Sequence, residues 1–173
     1  FSYGPVSLED INKVKLKETE LGLLPEDWEI VKFEECLSKE KYNVSKIKQY
    51  NYKKIGLYPI IDQGQNIIVG YWNNKEDLYD GKLPIILFGD HTRIFKFIDF
   101  PFICGGDGAK VLVARHGVDT KYFYYYLSTL NIPSRGYNRH YSLLKENKIP
   151  LPPLQEQQKI ASILSAIDEK IKA

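Results

Sequence analysis

The stretch Leu83-Pro-Ile-Ile-Leu-Phe-Gly-Asp-His-Thr-Arg-Ile-Phe-Lys-Phe97 decides the fold class. Two short β-favouring runs, Leu83–Phe88 and Thr92–Phe97, flank Gly89-Asp90, residue types that accept a tight turn. The same pattern repeats on both sides. Lys54–Ile61, Asn66–Tyr71, Phe102–Cys104 and Ala109–Ala114 read as strands. Gln63-Gly64, Asn73-Asn74, Asp80-Gly81 and Gly105-Gly-Asp-Gly108 stand between them as turns. Upstream, Trp28-Glu-Ile-Val-Lys-Phe33 alternates as a half-buried strand does, Pro25 keeps the chain before it extended, and a short helix is expected over Phe33–Leu37. Strands at this spacing, with no helix between them, predict an α+β protein. Its sheet should be twisted and mostly antiparallel or mixed, not doubly wound.

Helices enter only after the strands, and they are few and short. Asp119 or Thr120 can cap a helix whose Phe123, Tyr126, Leu127 and Leu130 share one face, with Pro133 as its stop. A second helix is expected over Ser142–Glu146, before the extended Ile149-Pro-Leu-Pro-Pro153. The last element is a helix of coiled-coil type: Pro153 suits its first turn, and Glu156 complements its dipole. Ile160, Leu164, Ile167 and Ile171 recur at intervals of 4, 3 and 4, with Ile163 beside them and a polar opposite face from Gln158 to Glu169. Such a stripe ordinarily packs on its own domain. The proline hinge before it instead favours a helix turned outward.

A chain of 173 residues, 43% hydrophobic and 27% charged, has the composition of one ordinary globular domain with a short appendage. It begins at Phe1 and holds no methionine, so it reads as a piece of a longer polypeptide. Residues 1–20 read as a polar lead-in. Two cysteines, Cys36 and Cys104, form no framework and predict a reducing, cytoplasmic setting. No apolar run approaches the roughly 18–20 residues of a membrane span.

Catalytic signatures are missing. Gly105-Gly-Asp-Gly-Ala-Lys110 lacks phosphate-loop spacing, and His91, His116, His140 and the cysteines lack zinc spacing. Neither a nucleophile elbow nor a metalloprotease or kinase motif occurs, and Ile149-Pro-Leu-Pro-Pro153 is not the Asn/Asp-Pro-Pro-aromatic motif of amino-methyltransferases. These features predict a binder without metal, cofactor or catalytic site.

Charge placement points to nucleic acid. Lys39 to Lys54 holds six lysines against Glu40, and Arg135 to Lys148 holds four bases against Glu146. Together the windows carry +8 in a chain of net charge +2, interleaved with Tyr42, Tyr50, Tyr52, Tyr137 and Tyr141. That combination suits a surface that contacts phosphates.

Two segments carry a family likeness. Lys17-Glu-Thr-Glu-Leu-Gly-Leu-Leu-Pro-Glu-Asp-Trp-Glu-Ile-Val-Lys-Phe33 resembles the leading segment of type I restriction–modification specificity subunits, where Gly-x-x-Pro-x-x-Trp runs into the first strand of a target-recognition domain. Ile149-Pro-Leu-Pro-Pro-Leu-Gln-Glu-Gln-Gln-Lys-Ile160 and the helix to Ile171 resemble that family's trailing segment. The resemblance implies a DNA target-recognition domain over 1–150 and the start of a conserved spacer or dimerisation helix over 151–173. It implies partners as well: double-stranded DNA, methyltransferase subunits, a restriction subunit, and a second recognition unit in the same chain or by homodimerisation. Each recognition unit would read half of a split target. Two rival readings are the recognition domain of a fused restriction–methylation enzyme and a protein-interaction module built on the last helix.

Base readout requires side chains that offer paired hydrogen bonds to base edges. The candidates on expected loops are Gln63, Gln65 and Asn66; His91, Thr92 and Arg93; and Arg135, Asn138, Arg139 and His140. Phosphate contacts are expected from Lys46, Lys48, Lys53, Lys54, Lys110 and Tyr137. Ile160, Leu164, Ile167 and Ile171 are assigned to partner helices.

Overall fold

The computed structural model describes residues 13–173, which run through short strands before the helices begin. A hairpin of β1 (Leu16–Thr19) and β2 (Gly22–Pro25) leads into β3 (Glu29–Lys32) and a 3-10 turn over Phe33–Cys36. Then come β4 (Lys46–Ile47), β5 (Tyr58–Ile61), β6 (Gly70–Trp72), β7 (Ile85–Gly89), β8 (Phe95–Ile98), β9 (Ile103–Gly105) and β10 (Ala109–Leu112). Helix α1 (Thr120–Thr129), helix α2 (Tyr141–Lys145), β11 (Lys148–Leu151) and helix α3 (Leu154–Lys172) complete the order. The mixed sheet is divided into small pieces. β7 is antiparallel to both β8 and β10, while β9 lies parallel to β4 and β5, with β6 antiparallel on the far side of β5. β11 returns to pair with β3.

β7 organises the interior. Its Ile85, Ile86, Leu87 and Phe88 are all fully buried, and successive strand side chains point to opposite faces. Ile86 and Phe88 therefore enter one core with Phe33, Phe123, Leu127, Leu144 and Ile149. Ile85 and Leu87 enter another with Ile61, Ile98, Phe102 and Cys104. A strand covered on both faces needs an unbroken apolar run, which this one has.

Helix α1 is capped by the Asp119 side chain, which accepts from Tyr122 N at 2.8 Å. Its Phe123 and Leu127 are buried, Tyr126 and Leu130 half-buried, and it ends at Thr129, ahead of Pro133. The expected short helices appear as a 3-10 turn at Phe33–Cys36 and as α2.

Two expectations need correcting. Of the lead-in, residues 1–12 lie outside the described residues, and Leu16–Thr19 form β1 of a hairpin. Gly22 takes the turn's left-handed backbone (φ 98°), which glycine tolerates best. Helix α3 does not simply turn outward. Gln157, 1% exposed, accepts from Asp119 N at 2.8 Å and donates to the carbonyls of Gly117 (3.1 Å) and Pro152 (2.8 Å). Ala161 is buried and Tyr125 donates to Asp168 at 2.7 Å, so one helix face is seated on the domain. Ile160 is half-buried against the core, which removes it from a purely partner-facing role. Ile163, Leu164, Ile167 and Ile171 line the adjacent face and are exposed.

Gln157→Ala leaves three backbone groups without their partner and should cost about 2–3 kcal/mol in urea unfolding. Burial raises both the Cys36 and Cys104 thiols to about 11, so almost no thiolate exists at neutral pH. A thiol reagent at mildly alkaline pH should therefore label neither cysteine until the chain unfolds; rapid labelling of the native protein would contradict the burial.

Candidate nucleic-acid interface

β7 ends at the buried Gly89, and Asp90 follows it at 1% exposure. The Asp90 carboxylate accepts from the backbone N–H groups of His140 (2.9 Å) and Tyr141 (2.7 Å), capping α2 from across the fold. Its own carbonyl lies 2.9 Å from His140 Nδ1, and its N–H donates to Gly108 O at 2.7 Å. His140 Nε2 accepts from Arg135 N at 3.0 Å. A carbonyl on one ring nitrogen and an N–H on the other fix the neutral tautomer protonated at Nδ1. His140 is fully buried, so the sequence-based assignment of this residue to base readout is corrected. It is an internal strut that shapes the 134–140 segment.

The 62–66 loop joins the same junction. Gln63 Oε1 accepts from His91 N at 3.0 Å, and Gln63 O accepts from the Thr92 hydroxyl at 2.8 Å. A Cβ on Gly108 would run into the Gln63 amide, so a larger residue there would displace that side chain from His91 N. From below, the Lys96 ammonium donates to Asp62 O and Asn66 O, both at 2.7 Å, closing the loop. Burial lowers the pKa of this lysine, and the Asp62 carboxylate pulls it the other way. That carboxylate also accepts from Gly64 N at 2.8 Å and from the Tyr52 hydroxyl at 3.1 Å.

Three segments that are distant in sequence thus meet on one rim. His91 stacks on Tyr137 with ring centroids 4.6 Å apart and planes 10° from parallel. Arg93 holds a left-handed backbone (φ 63°), and its guanidinium donates to Ile132 O at 2.8 Å. Arg139 is exposed, with Nη1 3.8 Å from Asp90 Oδ2. Asn138 Nδ2 bonds the Arg135 carbonyl, while Gln65, Asn66 and Arg135 are exposed. Gln63, by contrast, is committed to the junction.

The basic candidates are spread wider. Lys46 Nζ is engaged by the carbonyls of Ala109 (2.9 Å) and Asp107 (3.4 Å). Lys48, Lys53 and Lys110 sit over the rings of Tyr50, Trp72 and Tyr141 at 5.8, 5.3 and 5.6 Å, and Lys54 is exposed. Among the described residues no group of three His, Cys, Asp or Glu side chains is placed to hold a metal, and no helix is long and apolar enough to cross a membrane. Sequence reasoning missed Asp90 and Lys96. Both are charged residues at the ends of, or inside, apolar runs, and that placement was the available signal.

Residues 25–173 match the type I restriction modification DNA specificity domain, and the chain belongs to that family. It is 31% identical over 127 residues to the Escherichia coli type I restriction enzyme EcoR124I/EcoR124II specificity subunit, a match covering 70% of this chain and 31% of that protein. Identity to the Methanocaldococcus jannaschii type I restriction enzyme MjaIX specificity subunit is 26% over 186 residues, covering 92% and 42%. The fold is shared with the type I restriction–modification S subunit from M. genitalium, with a TM-score of 0.59 at 20% identity over 84% of this chain and 40% of that one. It is also shared with the HsdS subunit from Thermoanaerobacter tengcongensis, at 0.52 and 18%, over 86% and 39%. The chain thus spans less than half the length of these relatives.

Asp90→Ala should cost about 1–2 kcal/mol, because Tyr141 N–H loses its acceptor, whereas His140 N–H keeps the Asp90 carbonyl at 2.8 Å. Asp90→Asn keeps an acceptor oxygen and should cost less; equal losses in urea melts would argue against the capping role.

Proposed function

We propose that the chain is a non-catalytic DNA target-recognition domain reading one half of a bipartite target within a type I restriction–modification assembly. The observation that carries this reading is the convergence of the 62–66, 89–93 and 134–140 segments on one rim. Such a rim presents amide and guanidinium groups from a fixed backbone, as base readout in a groove requires. We assign readout to Gln65, Asn66, Thr92, Arg93, Arg135, Asn138 and Arg139, with Gln63, His91 and His140 as their supports. Phosphate positioning falls to Lys46, Lys48, Lys53, Lys54 and Lys110, with the exposed Tyr137 hydroxyl.

The remaining partners are assigned to α3. Its stripe of Leu164, Ile167 and Ile171, with Ile163, is exposed and apolar at coiled-coil spacing. We assign it to a second recognition unit's helix and to docking of the methyltransferase subunits, with the restriction subunit joining that assembly. A chain that uses α3 alone to bind protein would show no salt-sensitive DNA binding in a mobility-shift assay on random duplex.

Arg139→Ala should weaken binding to the preferred duplex by about 1–3 kcal/mol and relax preference at one position. Lys48→Ala should weaken all duplexes alike and reduce the slope of log K against log salt by about one. Titrations at several salt concentrations check both; an Arg139 variant with unaltered preference would remove that residue from readout.

A further inference from the structure

We propose that Ile55 and Leu57 form a rigid apolar wedge that presses against the bases of duplex DNA beside the reading rim. The proposal rests on the DNA-reading assignment above and adds a contact of a different kind, apolar instead of hydrogen-bonding.

Ile55 is 86% exposed and Leu57 74%, among the most exposed large hydrophobic side chains described. Exposed apolar residues are unremarkable on loose loops, but this turn is clamped. Leu57 N donates to the Asn73 side chain at 3.0 Å. Gly56 lies so close to β6 that a Cβ there would sit 2.8 Å from Tyr71 Cβ and 2.9 Å from Asn73 Oδ1. On the preceding side Lys53 exchanges two backbone hydrogen bonds with Tyr71, at 3.1 and 2.8 Å, and on the following side Tyr58 pairs with Trp72. The backbone is therefore held on both flanks while the two side chains project into solvent. Little backbone freedom remains to be lost on binding.

The surroundings select the partner. Residues 41–61 hold five lysines and no acid, and Lys53 and Lys54 directly precede Ile55. Of the acids on the neighbouring 3-10 turn at Lys75–Asp77, Asp77 is held by the Trp72 indole N–H at 2.9 Å, leaving Glu76 exposed. A shallow groove of about 350 Å³ runs between residues 52–54 and 68–71, with Ile68 on its far wall. Cations around an apolar tip match a partner that is anionic outside and apolar within. Duplex DNA has that chemistry, and apolar side chains do enter its grooves or base steps. Position favours DNA over an anionic lipid surface. The four residues of β5 join this turn to the 62–66 loop of the rim, about 13 Å. That is roughly four base-pair steps, so one duplex can reach both.

The test uses this chain and duplexes that it selects from a randomised pool at low salt. In an Ile55→Ser/Leu57→Ser variant, affinity should fall about tenfold with the salt slope unchanged, because no phosphate contact is lost. Lys54→Ala should instead lower the slope by about one. Both variants alter exposed side chains, and an unchanged melting temperature confirms that they fold. Unaltered affinity in the serine variant overturns the wedge, and leaves DNA reading intact if the parent binds in a salt-sensitive way. If the parent selects no duplex at all, both readings fall. Loss of phosphatidylserine-vesicle binding or of self-association in the serine variant, at constant DNA affinity, assigns the surface to another partner and overturns the proposal.

Discussion

Everything in this fold hangs from a strand that is covered on both sides. β7 sends alternate side chains into two separate cores, so it cannot slip by one residue without exchanging them. The stretch that leaves it, Gly89-Asp90, starts from a strand buried along its whole length. Asp90 then ties that point to the 134–140 segment, to Gly108 and to the start of α2. Precision at the rim derives from the stiffness behind it: a reading loop is only as well placed as the element that carries it.

Much of the architecture was legible in the sequence because it depends on local patterns. Strand–turn alternation marked β5 to β10, and the Asp119 cap and the 3-4 spacing of Phe123, Tyr126, Leu127 and Leu130 marked α1. Glycine and asparagine turns located the loops. Strand bounds were less legible. Asn66–Tyr71, expected as one strand, is mostly loop with β6 confined to Gly70–Trp72, and Lys96 holds the Asn66 carbonyl at its start. The hairpin of β1 and β2 escaped notice because neither strand contributes a buried residue.

The site was legible as three loops but not as one. His140 looks the same in sequence whether it faces DNA or props a backbone, and only the two partners on its ring show which. Gln63 and Ile160 were likewise singled out for outward roles, and both are held inward. The motif Glu156-Gln157 illustrates the complementary gap. It identified the family by likeness, while two of the three Gln157 hydrogen bonds that seat α3 beside the α1 cap go to Gly117 and Asp119, about 40 positions away. Non-local hydrogen bonds leave no periodicity for a pattern search to find.

The ties at the rim share one property. Asp90 grips the amides of His140 and Tyr141, Lys96 the carbonyls of Asp62 and Asn66, Arg93 the carbonyl of Ile132 and Thr92 that of Gln63. Nearly all the acceptors and donors on the far end are main-chain atoms, which every residue type supplies. The exposed side chains at 65, 66 and 135, for which readout is proposed, make none of these ties and can be exchanged while the scaffold that presents them stays as it is. A protein built this way can acquire a new vocabulary by substitution alone, with no need to refold around each new word.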